Sequence, residues 1–453
     1  MQYLGAIISL VFIFFTARLL LKKYNPHAIL LVSGLLMLVI AQVLNYNLPE
    51  LKDPTGFSGF DLFRYIKEAF SNINAGVGLM IMSIGGFVAY IDKIGASDAL
   101  VHVSMKPLKL FKKQPYIAAS LVIPIGQLLF AAIPSAAGLA LLLMASLFPI
   151  LVNLGVSKLS AVSVITATTA FGIGPASAIT ASASSIAKMD VVVFFLNYQL
   201  PLVLALSLIM MVTYYFVNKY YDNKEKHIEN VASIERKELK APLIYAIIPI
   251  LPIILLIVFS EIFNFFNLPI KLDTTTAMII SLFVALICEL IRLKNIKEVF
   301  NSLTVFWDGM GDIFKTVVTL IITAEIFAKG LISLGFIDGL LDLAQNLGLG
   351  GLGIGIVMTV MIFLASMLMG SGNAAFFAFG PLVPNIANKL GIETTSIIVP
   401  MELSASMGRT VSPVAGVIIA TAAIAKVTSI EIVKRNIIPL GVALVSMLII
   451  HYL

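Results

Sequence analysis

Two stretches of this chain echo one another at a spacing of about 238 residues. Ile186-Ala187-Lys188 precedes Pro201-Leu202 just as Ile424-Ala425-Lys426 precedes Pro439-Leu440. Upstream, Gly174-Pro175 stands before the first lysine where Ser412-Pro413 stands before the second. Gly155 returns at Gly391, Ser135 at Ser371, and the pair Gly95 and Asp98 at Gly335 and Asp338. The echo runs through sequence that is 59% hydrophobic and 12% charged, with a mean hydropathy of +1.02. Soluble domains carry roughly 25% charged residues, so only an integral membrane protein fits. Two like halves, each interrupted by Gly, Pro and small polar residues at matching places, describe a secondary transporter.

A helix that crosses a bilayer needs about 20 apolar residues. The sequence places such spans at 3–21, 28–45, 75–95, 159–183, 191–217, 242–262, 272–291, 314–335, 394–423 and 432–453. Two further apolar stretches, 115–155 and 351–391, each carry a small-polar break near the middle. Each stretch is either two full spans with a tight turn or a re-entrant hairpin whose tip stops at mid-membrane. Bases cluster at Lys22-Lys23, at Lys106, Lys109, Lys112 and Lys113, at Arg292, Lys294 and Lys297, and at Lys434-Arg435. By the bias of Lys and Arg toward cytoplasmic loops, both termini lie outside. That bias also accounts for the pI near 9.1 without nucleic acid as a partner. Counting the stretches as hairpins leaves five spans in each half, and an odd number inverts the second half.

The expected fold is therefore an all-α integral membrane protein of two inverted repeats. It has about ten transmembrane helices, two re-entrant helical hairpins, and broken helices at the midplane. The first repeat covers 1–217, with its hairpin at 115–155 and its broken helix at 159–183. A charged cytoplasmic linker at 218–241 joins it to the second repeat, 242–453, with hairpin 351–391 and broken helix 394–423. Segments 97–111 and 337–347 are amphipathic and too polar to span, so they read as interfacial helices or plain connecting loops. Tyr3 to Leu21 lacks a basic flank and a cleavage site and reads as a retained span. The single cysteine, Cys288, permits no disulfide framework.

Four breaks define the expected site: Pro134-Ser135-Ala136-Ala137-Gly138, Phe171-Gly172-Ile173-Gly174-Pro175-Ala176-Ser177, Gly370-Ser371-Gly372-Asn373, and Met407-Gly408-Arg409-Thr410-Val411-Ser412-Pro413. Pro removes a backbone donor and Gly permits an open turn. Unwound backbone at membrane depth is tolerated only where it is buried or lines a cavity. Half-helix N-termini suit a carboxylate, and free carbonyls suit a cation. Arg409 lies inside a span, where an arginine is costly and faces a cavity or a partner. Its planar fork fits a carboxylate, with a structural ion pair as the alternative. Its counterpart in the echo is Phe171. Glu402 reads either as an intramembrane carboxyl able to carry a coupling proton or as a residue near the membrane surface. Glu325 and Lys329 read as a structural pair at i, i+4. The hydroxyls of Thr166, Thr168, Thr169, Thr180, Ser182, Ser184 and Ser185 read as lining a path or, more simply, as helix packing. His27, His102, His227 and His451 stand apart, and zinc-protease, nucleophile-elbow and Walker signatures are absent, which argues against an enzyme or an ATP-driven pump.

At these motifs the chain resembles the DcuC family of anaerobic C4-dicarboxylate carriers, within the wider ion transporter superfamily. The resemblance rests on GLMIMSIGGFVAYIDKIGASDALV at 78–101, GLALLLMASLFPILVNLG at 138–155, GSGNAAFFAF at 370–379 and GRTVSPVAGVIIATAAIAKVTSIEIVKR at 408–435. It implies a bacterial inner-membrane carrier of succinate, fumarate and malate, used for succinate efflux with protons. It also implies a homodimer working by an elevator motion, with no cofactor. Sodium-coupled members of the superfamily carry Ser-Asn-Thr at both hairpin tips. Here the first tip has no Asn, which leaves proton coupling, sodium coupling and uniport open, and leaves any metal unknown. By this match Ser135, Ser371, Asn373, Arg409, Thr410 and Ser412 are assigned to the substrate site. Ala136, Gly138, Gly174, Pro175, Ser177, Gly372, Gly408 and Pro413 join them from the breaks, and Gly172, Asn373 and Glu402 are the ion-coupling expectations. An anion channel, a scaffold, or a carrier of another small anion are the competing readings.

Overall fold

In lipid every backbone N–H and C=O must be satisfied within its own segment, so uncharged apolar runs become helices. The computed structural model describes residues 2–111, 113–225, 241–260, 270, 272–346, 348 and 350–453. The first half contains α1 (Gln2–Leu21), α2 (Pro26–Val43), α3 (Ser58–Ile73), α4 (Leu79–Lys93), α5 (Ala96–Ser104), α6 (Pro115–Ala132) and α7 (Ala136–Ser146). It continues through α8 (Phe148–Asn153), α9 (Lys158–Ala167), α10 (Ala178–Ile186), α11 (Val191–Phe194) and α12 (Leu200–Glu225). The second half contains α13 (Leu251–Val258), α14 (Thr274–Leu293), α15 (Ile296–Ser302), α16 (Thr304–Ile313), α17 (Thr319–Ser333), α18 (Phe336–Asn346) and α19 (Gly351–Met369). It ends with α20 (Gly372–Phe379), α21 (Val383–Leu390), α22 (Thr395–Thr410), α23 (Gly416–Ala425) and α24 (Ser429–Tyr452). No strand occurs among the described residues.

The echoed residues hold equivalent structural posts. Ser135 and Ser371 are the N-caps of α7 and α20, each accepting a backbone N–H three residues on. Gly95 and Gly335 both turn left-handed, with φ of 80° and 76°, before the amphipathic helices α5 and α18. Lys188 and Lys426 both close broken helices in the left-handed region, with φ of 53° and 57°. π-helical turns at Asn74–Gly78 and Phe314–Val318 match as well. The chain is thus built of two like halves, each with a hairpin and a broken helix.

Some boundaries differ from the sequence reading. The span expected at 75–95 begins at Ser58, as a 36-residue apolar rod kinked at Gly76, whose φ and ψ are both −112°. The span expected at 314–335 begins at Ile296, through α15 and α16. In both cases the amphipathic turn ahead of the apolar run continues the helix, because its apolar face packs (Leu62, Tyr65 and Ala69 are buried). The span expected at 242–262 is a 3-10 segment, Leu243–Ile250, followed by the short α13, with Pro249 and Pro252 limiting regular hydrogen bonding. Most of the expected linker, residues 226–240, lies outside the described residues, and α12 runs on to Glu225.

Two groups of closely packed helices stand out and share one core. In one, α2 lies along α17 and α4 along α16. A Cβ at Gly34 would sit 2.7 Å from the Ile326 carbonyl carbon, so these backbones approach as only small residues permit. In the other, α19 lies along α22, and α12 joins α6 and α24. Arg435 of α24 pairs there with Asp222 of α12 at 2.9 Å, and both side chains are buried. This second group carries the four breaks.

Candidate functional site

Each break forms where a helix runs out of regular donors. After α6, Ile133 and Pro134 carry the chain to Ser135, whose hydroxyl accepts the Gly138 N–H at 3.1 Å. After α19, Gly370 turns left-handed and Ser371 accepts the Ala374 N–H at 3.2 Å. The first tip touches its own half's broken helix: a Cβ on Gly174 would lie 3.1 Å from the Ala131 Cβ. The second does likewise, since a Cβ on Gly372 would lie 2.7 Å from the Ala405 carbonyl oxygen. The halves then cross over, α7 packing on α23 and α20 on α10. Four helices, α7, α10, α20 and α23, begin at these breaks, each presenting unsatisfied N–H groups and partial positive charge.

Arg409, in the last turn of α22, reaches back to the first half. One Nη2 hydrogen is donated to the Thr169 carbonyl at 2.5 Å. The guanidinium carbon stands 6.0 Å from the centre of the Phe130 ring. Its Nε is buried without a hydrogen-bond partner, and among the described residues no carboxylate pairs with it. A guanidinium has five donors, so one bond to a neutral carbonyl leaves the fork open to a carboxylate. The structural ion pair weighed from sequence is not formed. Phe171, its counterpart, is fully buried.

Glu402 is fully buried within the protein. Gln199 Nε2 lies 2.7 Å from each of its carboxylate oxygens, so that one amide hydrogen is shared between them. The Thr180 hydroxyl lies 2.8 Å from Oε1 and 3.1 Å from the Gly172 carbonyl. The Gly172 N–H donates to Ser406 Oγ at 3.1 Å, and the Gly174 N–H to Gln199 Oε1 at 3.4 Å. The unwound segment of the first half is thus tied to α22 of the second through side chains alone. Glu402 and Arg409 stand about 10 Å apart along one helix.

The remaining expected residues divide. Ala136 and Gly138 occupy the first turn of α7, as Gly372 and Asn373 occupy that of α20. Pro175 and Ser177 are buried in the first break, where the Ser177 N–H closes a turn on the Gly174 carbonyl at 2.9 Å. Thr410 donates to the Ser406 carbonyl at 3.0 Å, and Ser412 accepts the Val414 N–H at 3.4 Å. Pro413 is exposed at the second break. Gly408 serves helix packing instead, since a Cβ there would lie 2.3 Å from the Phe363 carbonyl oxygen. Thr166, Thr168, Thr169 and Ser184 each donate three residues back along the chain, as packing hydroxyls do, whereas the Thr180 hydroxyl meets Glu402 and Gly172. Gln199 was not among the expected residues. Its signal was a glutamine within an apolar run, and the π-helical turn Phe195–Gln199 places it here.

Glu325 and Lys329 do not form the expected pair. The Lys329 ammonium lies 5.7 Å over the Tyr65 ring. Both residues line a separate open cavity of about 620 Å³, together with Tyr46, Asn385 and the ion-paired Asp338 and Lys389. Among the described residues no group of three His, Cys, Asp or Glu side chains is placed to hold a metal ion.

Residues 4–453 match the DcuC family, described as C4-dicarboxylate anaerobic carrier. The chain is 36% identical over 449 residues to a probable anaerobic C4-dicarboxylate transporter of Vibrio cholerae, covering 98% of this chain and 97% of that one. It is 34% identical over 450 residues to the anaerobic C4-dicarboxylate transporter of Escherichia coli K12, covering 99% and 96%. Among solved structures, the fold resembles the Alcanivorax borkumensis YdaH transporter, with a TM-score of 0.64 at 14% identity over 94% of this chain and 98% of that one. It also resembles the Neisseria gonorrhoeae efflux pump MtrF, with a TM-score of 0.61 at 13% identity over 94% of each chain.

Proposed function

Because the chain belongs to the DcuC family of C4-dicarboxylate anaerobic carriers, we propose that its four-break site carries succinate, fumarate or malate in exchange for, or together with, protons. The protein is a multi-pass membrane transporter of C4-dicarboxylates and not an enzyme. One observation carries the site assignment: Arg409 holds a buried, unpartnered Nε and, among the described residues, no counter-anion. One substrate carboxylate takes that fork. The other faces the N-termini of the half-helices, where fixed N–H dipoles favour negative charge.

Glu402 is the proton carrier in this reading. A permanent charge in a dry site is costly, and a carboxyl avoids that cost by exchanging a proton. Its partners, Gln199 and Thr180, are neutral, so no cation fixes it as an anion. The family resemblance supports an elevator motion, in which the helices that carry the four breaks move against the rest. The family resemblance supports a homodimer in a bacterial inner membrane, and the placement of Lys and Arg supports both termini outside.

The test is counterflow. Purified protein in liposomes preloaded with fumarate should take up labelled succinate faster than in empty liposomes, and uptake should saturate. Non-saturating conductance without trans-stimulation would overturn the carrier reading in favour of a channel. Varying pH and sodium separately decides the coupling ion.

A further inference from the structure

The Thr180 hydroxyl has one hydrogen and two acceptors competing for it. Glu402 Oε1 lies at 2.8 Å and the Gly172 carbonyl oxygen at 3.1 Å. Gln199 Nε2, at 3.1 Å, supplies a donor to the hydroxyl oxygen. The Gln199 amide cannot turn over to relieve this competition, because its Oε1 accepts the Gly174 N–H at 3.4 Å. Among the described residues the Gly172 carbonyl has no other hydrogen-bond partner.

From this geometry we propose that Thr180 is a two-position switch that converts the protonation of Glu402 into the making or breaking of a tether on the unwound segment that positions Arg409. The proposal rests on the reading of Glu402 as the proton carrier. When Glu402 is ionised, the hydroxyl donates to the carboxylate, since a hydrogen bond to a charged acceptor is about twice as strong as a neutral one. The Gly172 carbonyl is then left without a partner in a buried site. When Glu402 takes up a proton, its own O–H donates to Thr180 Oγ1. The Thr180 hydrogen turns to the Gly172 carbonyl and closes the tether. The proton enters from, and leaves to, the water on whichever side the site opens. No covalent bond other than O–H changes.

The consequence reaches the substrate site through a short stretch of backbone. Thr169, at one end of the segment, accepts from Arg409 through its carbonyl. Gly172 sits three residues on, held from its N–H side by Ser406. Arg409, Ser406 and Glu402 all belong to α22, so the segment and the helix share both the proton and the substrate group. Loosening Gly172 loosens the carbonyl that aims the guanidinium. The second half has no such device: Thr180 corresponds to Ile418, Gln199 to Ile437 and Glu402 to Val164. The π-helical turn that delivers Gln199 is likewise absent from its counterpart in α24, which is regular there. The switch therefore belongs to the added polarity of the site and not to the repeated scaffold.

Other charged groups near α22 are engaged elsewhere. The packed helices α10, α19 and α20 carry none. On α21, Lys389 bonds Asp338. On α24, Glu431 caps its own helix, Arg435 pairs with Asp222, and His451 meets the Ser396 carbonyl. Lys434 has no ion pair with Glu402 among the described residues.

The test compares Thr180→Val, Thr180→Ser and Glu402→Gln in liposomes, following succinate uptake against pH and succinate–fumarate exchange at fixed pH. One titrating proton changes a rate by up to about tenfold per pH unit. In Thr180→Val the tether is lost at every pH, so the pH profile of succinate uptake should flatten, and Thr180→Ser should restore the wild-type slope. A Thr180→Val profile with the wild-type slope overturns the switch, as does a Thr180→Ser profile as flat as that of Thr180→Val. Glu402→Gln separates the two readings. If it is flat while Thr180→Val keeps the slope, only the switch falls. If it keeps the wild-type slope, the assignment of Glu402 falls and the switch with it. Thr180→Ala, read by the same criteria, serves if the valine variant does not survive purification.

Discussion

Replacing Arg409 by lysine keeps the positive charge and removes the fork. In the structure one Nη2 hydrogen is committed to the Thr169 carbonyl at 2.5 Å, and the buried Nε and the other amino hydrogens are free. A carboxylate can take two of these in parallel while the Thr169 bond stays in place. A lysine ammonium is a single point on a flexible stem and must divide its donors between Thr169 and the substrate. At least one charge-assisted bond is lost, worth about 1.5–3 kcal/mol. At about 1.4 kcal/mol per decade, succinate affinity should fall roughly 10- to 150-fold. Arg409→Gln, which removes the charge as well, should fall further, by about 2–5 kcal/mol. The assay is the concentration dependence of labelled succinate exchange in liposomes, with thermal unfolding in detergent as the control. An unchanged apparent KM in Arg409→Lys, together with a lowered Tm, would instead make Arg409 a staple on Thr169 with no part in binding succinate.

Three further outcomes follow from other contacts. Glu402→Gln should retain succinate–fumarate exchange while net succinate uptake loses its response to a pH gradient; gradient-driven uptake at the wild-type rate would contradict the proton assignment. Arg435→Leu strands Asp222, which also binds Ser157 and Ser160 at 2.7 and 2.8 Å, as a buried unpaired charge. It should cost about 3–5 kcal/mol, read as a lowered Tm that adding Asp222→Leu partly restores; no change in Tm would remove this clasp from the account. Gly408→Ala places a methyl 2.3 Å from the Phe363 carbonyl oxygen and should cost about 1–3 kcal/mol by prying α22 from α19. A silent Gly408→Ala by thermal unfolding would show that this contact yields freely.

The echo in the sequence made the architecture readable because it marked posts where backbone geometry leaves few choices. Ser135 and Ser371 both had to cap a helix, and Gly95 and Gly335 both had to turn left-handed. Even Lys188 and Lys426, unremarkable as residue types, share a left-handed closure. Helix starts were less legible. Ser58 and Ile296 begin rods whose first turns are amphipathic, and hydropathy alone does not count such turns as membrane helix. Within the site, Arg409 stood out because a charge in an apolar run needs a reason. Gln199 and Thr180 did not, because their importance lies in tertiary partners far away in the chain, at Glu402. Glu325 and Lys329 misled for the opposite reason: i, i+4 spacing permits a pair, and a cavity with Tyr65 close by offers the lysine another place.

The central claim is one uneven site, built from four breaks and made polar mainly by α22. A structure of the protein with succinate bound tests it most directly. One succinate carboxylate should lie within hydrogen-bonding distance of the Arg409 guanidinium, with the other at the N-terminus of α7 or α20. Succinate bound only in the separate cavity between Lys329 and Lys389, with Arg409 still holding Thr169 alone, would contradict it.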